Sequence, residues 1–351
     1  GAVLPRVIVS DTLRAAKRGE KRSHFNKVLL DRIGEALQAG SQAILFQNRR
    51  GFSPYVECGH CGWTANCPDC NVSLTYHKSD GSLRCHYCGY RIPVPAVCPS
   101  CGTGSLLPRG FGTEKIEQEL AAIFPEAAID RLDADTSQSA GGYRRIVEAF
   151  EQGRTDILIG TQIVTKGFDF GGVSLVGILN ADNLLNYPDF RAGERAFQLM
   201  TQVGGRAGRR SEPGTVVIQT AQPQHPVIEQ VLRGDYGAMV RSQLAERRAF
   251  FYPPYCRLIT VVMRHRDKEL LWRAAGAFAG SAREVFGRRL LGPEAPPVDR
   301  IRGRFLVRFL LKIERRSPSA EAKRLLQELF GRLHARTEFR SVEVAADVDP
   351  M

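Results

Sequence analysis

The chain has 351 residues, enough for two or three domains with a full core, and 43% of them are hydrophobic, the share of an ordinary soluble protein. Its 49 Lys and Arg outnumber 37 Asp and Glu, and the resulting net charge of +12 favours a polyanionic partner. No apolar run approaches the roughly 20 residues that span a membrane, and no secretory leader opens the chain, so a cytoplasmic protein with no membrane partner is expected.

Residues 1–22 are mixed and end in the basic run Arg14 to Arg22, which reads as a solvated connector, with a DNA-contacting linker as the second reading. Leu29, Ile33 and Leu37 then form one apolar stripe of a helix between Phe25 and Gln38 that Gly40 stops. Ala43 to Phe46 reads as a buried strand ending in Gln47-Asn-Arg-Arg-Gly51. Polar side chains at a strand's carboxyl end sit where open α/β sheets bind ligands, which makes Arg49 and Arg50 candidates for phosphate contact.

Four C-x-x-C pairs follow: Cys58 and Cys61, Cys67 and Cys70, Cys85 and Cys88, Cys98 and Cys101. They use eight of the nine cysteines, and in a cytosolic chain they fit two four-cysteine zinc sites better than disulfides. The residues directly after the pairs are Gly62, Asn71, Gly89 and Gly102, types that tolerate the left-handed backbone of a tight metal turn. A hairpin signature at Ser79-Asp-Gly81, between Val72–His77 and Ser82–Arg84, would bring the middle pairs together. Nested pairing, middle pairs on one metal and outer pairs on the other, is therefore preferred over sequential pairing. Trp63, Tyr76, Tyr87 and Tyr90, beside His60, His77, Arg84 and Arg91, make an aromatic and basic mixture suited to unpaired bases, some of it necessarily packing.

The α/β pattern resumes after Gly112. Thr113 can cap a helix carrying Ile116, Leu120 and Ile123, residues 128–132 read as a strand, and Tyr143, Ile146, Val147 and Phe150 mark a second helix. Asp156-Ile-Leu-Ile-Gly-Thr161 is a buried parallel strand feeding the loop Gln162-Ile-Val-Thr-Lys-Gly-Phe-Asp169. A strand from Val173 to Leu179, a helix from Ala192 to Val203 and the strand Thr215–Gln219 complete the pattern. Between the last two lies Gln202-Val-Gly-Gly-Arg-Ala-Gly-Arg209, where Arg206 and Arg209 stand among glycines as a charged phosphate would ask.

These two loops resemble motifs V and VI of superfamily 2 helicases, nucleic-acid-driven ATPases with two RecA-like lobes. The resemblance implies that Thr161, Gln162 and Lys166, with Arg49 and Arg50 of a motif IV-like loop, meet the DNA backbone. It also implies that Gly167, Asp169, Gln202, Arg206 and Arg209 belong to an ATP–magnesium site shared with another lobe, Arg209 being the first choice for an arginine finger and Arg206 the second. No G-x-x-x-x-G-K-[ST] phosphate loop and no D-E-x-H or D-E-x-D acid pair occurs, so the chain is expected to be the back half of a larger protein and inactive alone.

The cysteine insertion between motifs IV and V, followed by Tyr187-Pro-Asp-Phe-Arg191, Glu194-Arg195, Leu244 to Arg248, Tyr252-Pro-Pro254, Gly292-Pro293 and Asp347 to Pro350, resembles the PriA family of bacterial replication-restart helicases. The fold class expected is a RecA-like parallel-sheet helicase lobe 2 with an inserted two-zinc cysteine-rich region, followed by a small α+β domain. The expected boundaries are 1–57 and 102–225 for the lobe, 58–101 for the insertion, 226–255 for a helical connector and 256–351 for a DNA- or protein-docking domain. The resemblance further implies 3′-to-5′ movement on single-stranded DNA, recognition of forked DNA, and single-strand-binding protein and primosome proteins as partners. A non-catalytic zinc and nucleic-acid binding module, or a scaffold for replication proteins, is the alternative. Within the last region, Arg304 to Lys312 alternates as a strand, with Phe305, Val307, Phe309 and Leu311 on one face. Arg304, Arg308 and Lys312 share the other face with Leu306 and Leu310, which reads as half-exposed, or as a docking face. Cys256 stands apart and reads as packed.

Overall fold

The computed structural model describes residues 5–47, 55–77, 80–109, 113–132, 140–161, 170–208, 213–315 and 319–349. They fall into two compact units, one of residues 1–64, 95–187 and 191–240, the other of residues 65–94, 188–190 and 241–351. No described helix is long and apolar enough to cross a membrane.

The first unit is built on a six-stranded sheet in the order Arg6–Asp11, Thr215–Thr220, Val173–Ile178, Gln42–Phe46, Ile157–Gly160, Ile129–Leu132, with every pairing parallel. Its strands are apolar on both sides because helices cover both faces, as a parallel sheet requires. Ala43, Leu45, Ile157 and Ile159 meet Leu29, Ile33 and Ala36 of the helix Lys27–Gln38 and Ile116 and Leu120 of the helix Thr113–Ile123. The alternate residues Ile44, Phe46, Leu158 and Val176 face a second core with Phe150, Ala196, Phe197, Met200 and Ile228.

The amino-terminal stretch departs from the connector reading. Arg6 to Asp11 is the edge strand of this sheet, in register with Thr215 to Thr220. Val7 and Val9 pack on one core and Ile8 on the other, so burial on both sides makes a strand of a segment too short and mixed to announce itself. The basic run beyond it carries the short helix Thr12–Lys17, capped by Asp11, and a two-residue strand pair, Lys21–Arg22 with Phe25–Asn26.

The second unit centres on an antiparallel sheet ordered Leu290–Glu294, Arg304–Glu314, Cys256–His265, Glu343–Val348. The helices Lys268–Phe286 and Ser319–Ala335 cover one face, where Val307, Phe309 and Leu311 join Phe278, Ala282 and Leu326. The other face is mixed: Arg304 and Arg308 stay partly exposed, as the alternation suggested, while the residues between and beyond them do not. Leu306, Leu310 and Lys312 are buried; the hairpin sheet Thr75–His77, Ser82–Arg84, Arg91–Pro93 and the segment Phe250–Tyr252 belong to the same unit, and the Lys312 ammonium donates to the Phe250 carbonyl at 2.8 Å. The Arg308 guanidinium donates to the His86 carbonyl at 2.8 Å and lies 5.3 Å from the Tyr87 ring centre, so this strand face is occupied by the chain itself.

The linear boundaries drawn from sequence and the compact units differ over the cysteine run: residues 65–94 fold with the antiparallel sheet, while Cys58, Cys61, Cys98 and Cys101 fold with the parallel one.

Candidate metal centres and carboxyl-edge site

The eight thiols gather as two nested groups, Cys58, Cys61, Cys98 and Cys101 in the first unit and Cys67, Cys70, Cys85 and Cys88 in the second, with all sulfurs of a group within 4.8 Å of one another. Sulfur pairs lie 3.6 Å apart for Cys58 and Cys101, 3.7 Å for Cys61 and Cys98, and 3.6 Å for Cys67 and Cys88. A disulfide needs about 2.05 Å. Four thiolates around one zinc at about 2.3 Å stand about 3.8 Å apart, so the donor set fits zinc.

All four C-x-x-C turns close alike. The amide four residues after the first cysteine returns to its carbonyl: Gly62 to Cys58, Asn71 to Cys67, Gly89 to Cys85 and Gly102 to Cys98, at 2.8 to 3.0 Å. Those four residues have φ of +75°, +49°, +83° and +74°, which is why glycine or asparagine follows each pair. The tight turn also aims amides at sulfur, His60 at Cys58, Tyr87 at Cys85 and Tyr90 at Cys88, at 3.4 to 3.5 Å.

Crowding splits the acidities of the thiols. In the inner group, hydrogen bonds from Cys67, Cys70 and Cys85 pull Cys88 far below its ordinary value, and Cys70, donating to Cys67, Cys85 and Cys88, is pushed far above. In the outer group partial desolvation by its neighbours and hydrogen bonds to the Cys101, Cys58 and Cys98 sulfurs push the thiol of Cys61, an exposed residue, up to about 12. Burial acts on Cys58 too, but the Thr103 hydroxyl and the amides of Cys61 and His60 outweigh it and hold that thiol at about 6. Four adjacent thiolates repel one another, and a divalent cation at the centre of either group would offset that repulsion.

Each group is tied to its own unit. A side chain on Gly62 would lie 2.6 Å from the Ala221 carbonyl, so this turn is pressed against the end of the Thr215–Thr220 strand. In the second unit the Tyr252 hydroxyl donates to the Cys70 carbonyl at 2.9 Å, and its ring stacks on Phe190 at 4.5 Å. Tyr87, part of the expected base-stacking mixture, is buried edge-on to Tyr252, so it packs. Arg84 and Arg91 both pair with Asp80, whose carboxyl is held at about 2 by the Ser82 hydroxyl and Arg84.

Of the helicase-loop residues, Arg49, Arg50, Gln162, Lys166, Gly167, Asp169 and Arg209 lie outside the described residues. Thr161 is buried at the carboxyl end of the Ile157–Gly160 strand, its amide 3.3 Å from the Leu132 carbonyl. Gln202 is exposed near the end of the helix Ala192–Gly204, and Arg206 is half-buried in the loop beyond it. That loop returns through Gly208, whose amide donates to the Val173 carbonyl at 2.9 Å. A side chain on Gly214 would fall 2.2 Å from the Gly208 amide, so these glycines serve the loop's own closure. Val173 pairs with Gln42 while Gly160 pairs with Phe46, which sets the Arg206 loop and Thr161 at opposite ends of the sheet, about 16 Å apart along the strands.

At the carboxyl ends of the Val173–Ile178 and Thr215–Thr220 strands lies a polar cavity of about 280 Å³ lined by Lys21, Ser23, His24, Glu57, Asn180 and Gln219, among others. Gln219 holds it together, donating to the carbonyls of His24 and Leu179 and accepting from the Asn26 amide. Asp182, also at its wall, accepts from the Thr220 hydroxyl at 2.7 Å and the Ala221 amide at 2.8 Å. Sequence reasoning passed over these residues, although Asn180-Ala-Asp182 directly after an apolar run is the same signal that marked Gln47.

Three family models match consecutive parts of this architecture: Helicase conserved C-terminal domain over residues 112–211, PriA DNA helicase Cys-rich region over 67–93, and Primosomal protein N C-terminal domain over 248–351. Replication restart protein PriA of Bacillus subtilis is 38% identical over 350 residues, which is 99% of this chain and 43% of that protein. The chain belongs to the PriA family. The PriA of Treponema pallidum is 40% identical over 100% of this chain and 52% of its own length, and that of Synechocystis 39% identical over 88% and 38%. The chain thus spans about half the length, or less, of the PriA proteins it matches. Within the family's architecture the parallel sheet is the RecA-like C-terminal helicase lobe, interrupted by the zinc-ribbon cysteine region and followed by the small α+β domain.

Proposed function

We propose that the chain is the second RecA-like lobe, cysteine-rich region and C-terminal domain of an ATP-dependent 3′-to-5′ DNA helicase that recognises stalled replication forks and begins primosome assembly in the cytoplasm. The observation that carries this reading is the order of the parts: lobe, two nested cysteine centres and α+β domain occur in one chain that resembles PriA proteins from end to end. Cys58, Cys61, Cys98 and Cys101 hold one zinc, and Cys67, Cys70, Cys85 and Cys88 the other. When bound, each zinc supplies a structural cross-link. ATP with magnesium is shared with a first lobe, Arg206 and Arg209 approaching the phosphates from this side, with Gly167, Asp169 and Gln202 around the nucleotide. Thr161, Gln162, Lys166, Arg49 and Arg50 contact the DNA backbone, and the separation of Thr161 from the Arg206 loop supports a DNA site apart from the nucleotide. Forked and single-stranded DNA, single-strand-binding protein and primosome proteins are the partners.

The test is ATP hydrolysis by this chain alone and by the intact protein, with and without forked DNA in zinc-replete buffer. Turnover by the intact protein only, stimulated by DNA, is the expected result. DNA-stimulated turnover by the chain alone would mean a complete nucleotide site within it and would overturn the shared-site reading.

A further inference from the structure

The carboxyl edge of the parallel sheet continues past the cavity at Gln219. The edge strand Arg6–Asp11 and its neighbour Thr215–Thr220 end at Asp11 and Thr220, and beyond them opens a groove of about 600 Å³. Arg14 and Lys17 of the helix Thr12–Lys17 form one wall, and His60 and Cys61 of the outer cysteine turn form another. Ala221, Gln222 and His225 line the rest, with neighbouring residues. Arg14, Lys17 and His60 are exposed.

The charge of this groove is positive and uncommitted. Asp11 is the acid among the lining residues, and its carboxylate already accepts from the amides of Leu13 and Arg14 at 2.9 Å as a helix cap. The Lys17 ammonium has one long contact, 3.5 Å to the His60 carbonyl, and an ammonium has three N–H donors. The Cys58 thiol faces the His60 amide within its own turn. A flexible ammonium and a guanidinium on one wall, one turn of helix apart, are the side chains that hold a phosphate oxygen against water.

We infer that this groove takes a phosphate of the nucleic-acid backbone and so extends the DNA track that starts at Thr161. Four strand spacings separate the Ile157–Gly160 strand from the Arg6–Asp11 strand in the sheet, about 19 Å in all. That length corresponds to about six nucleotides at the ~3.4 Å spacing of a stacked strand. The inference rests on the DNA-binding reading of the carboxyl edge and adds to it a second anchoring point beside the outer cysteine centre.

The experiment is a salt titration of binding by this chain to fluorescent single-stranded oligonucleotides of four and of twelve nucleotides. The variants are Arg14→Ala with Lys17→Ala, and the charge-conserving Arg14→Lys with Lys17→Arg. On the longer strand the alanine pair is expected to flatten the slope of log K against log salt by about 0.7 to 1.4, one or two phosphate contacts, and to weaken binding about tenfold. On the shorter strand it should change little, and the exchanged cations should restore binding. Both side chains are exposed, so unchanged circular dichroism and two zinc ions per chain are expected throughout. An alanine pair with wild-type slope and affinity on the longer strand overturns the groove assignment while leaving the Thr161 track intact. Wild-type chain that binds neither strand overturns the DNA-binding reading itself, and the groove with it.

Discussion

The Tyr252 hydroxyl closes on the Cys70 carbonyl at 2.9 Å while the Lys312 ammonium sits 3.8 Å from the centre of the same ring. One side chain thus joins a cysteine turn to a strand 242 positions away from it. The ammonium is itself anchored, donating to the Phe250 carbonyl at 2.8 Å, and burial pulls its pKa below the ordinary lysine value.

Tyr252→Phe should cost about 1 kcal/mol, the worth of one buried hydrogen bond. Tyr252→Ala also deletes the ring under Lys312 and against Phe190, and a buried aromatic truncated to alanine costs about 3 to 5 kcal/mol. Urea unfolding midpoints of the two variants read the difference. Equal midpoints would show that the ring contributes nothing beyond its hydroxyl.

The four cysteine turns give an internal comparison. Gly102→Ala meets nothing within 4 Å and pays only for a left-handed alanine, about 1 kcal/mol. Gly62→Ala pays that and also drives a methyl to 2.6 Å from the Ala221 carbonyl, so it should cost at least twice as much. Zinc release under chelator, followed with a colorimetric metal indicator, should be faster for Gly62→Ala. Matching release rates would remove the contact from the account.

His225 caps the helix Pro226–Arg233, its Nδ1 accepting from the Val227 amide at 3.2 Å, and burial lowers its pKa. A depressed folded-state value means that, as pH falls below the ordinary histidine value of about 6.5, the unfolded chain takes up a proton before the folded one. The cap's contribution, about 1 kcal/mol, is therefore present at pH 7 and lost as pH falls through the folded pKa. His225→Asn keeps an acceptor without the titration, so its unfolding midpoint should change less between pH 7 and pH 5 than the wild type's. A wild type with no steeper dependence than the variant would contradict this.

Arg209→Ala in the intact protein should lower ATP turnover by a factor of a thousand or more, with Arg206→Ala somewhat milder. Fork binding should stay near normal in both, because the Arg206 loop is fastened to Val173, away from the sheet's carboxyl edge. Near-complete retention of turnover in Arg209→Ala would take the finger role from it.

The elements of the parallel sheet were legible because strands such as Ala43 to Phe46 and Ile157 to Gly160 bury both sides and show as unbroken apolar runs. The metal turns were legible for a local reason as well: a left-handed residue must follow each C-x-x-C, and Gly62, Asn71, Gly89 and Gly102 are next in the chain. What escaped notice depends on distant partners. Arg6 to Asp11 is a strand by virtue of Thr215 to Thr220, two hundred residues on. Arg308 and Lys312 looked like surface cations because nothing within their own segment offers the His86 carbonyl or the Tyr252 ring. Gln219 and Asp182 show the same limit, since a polar residue that organises strand ends reads as a solvated one until its acceptors and donors are known.

The division of the cysteine run between two units bears on biosynthesis. Residues 65–94 leave the ribosome about 160 residues before the strand Cys256–His265 that their unit is built around. At roughly 5 to 20 residues per second, that is a wait of about 8 to 32 seconds. During it Cys67, Cys70, Cys85 and Cys88 have no antiparallel sheet to cover them, so their turns must close on contacts local to residues 65–94, such as the Asn71 and Gly89 amides returning to the Cys67 and Cys85 carbonyls.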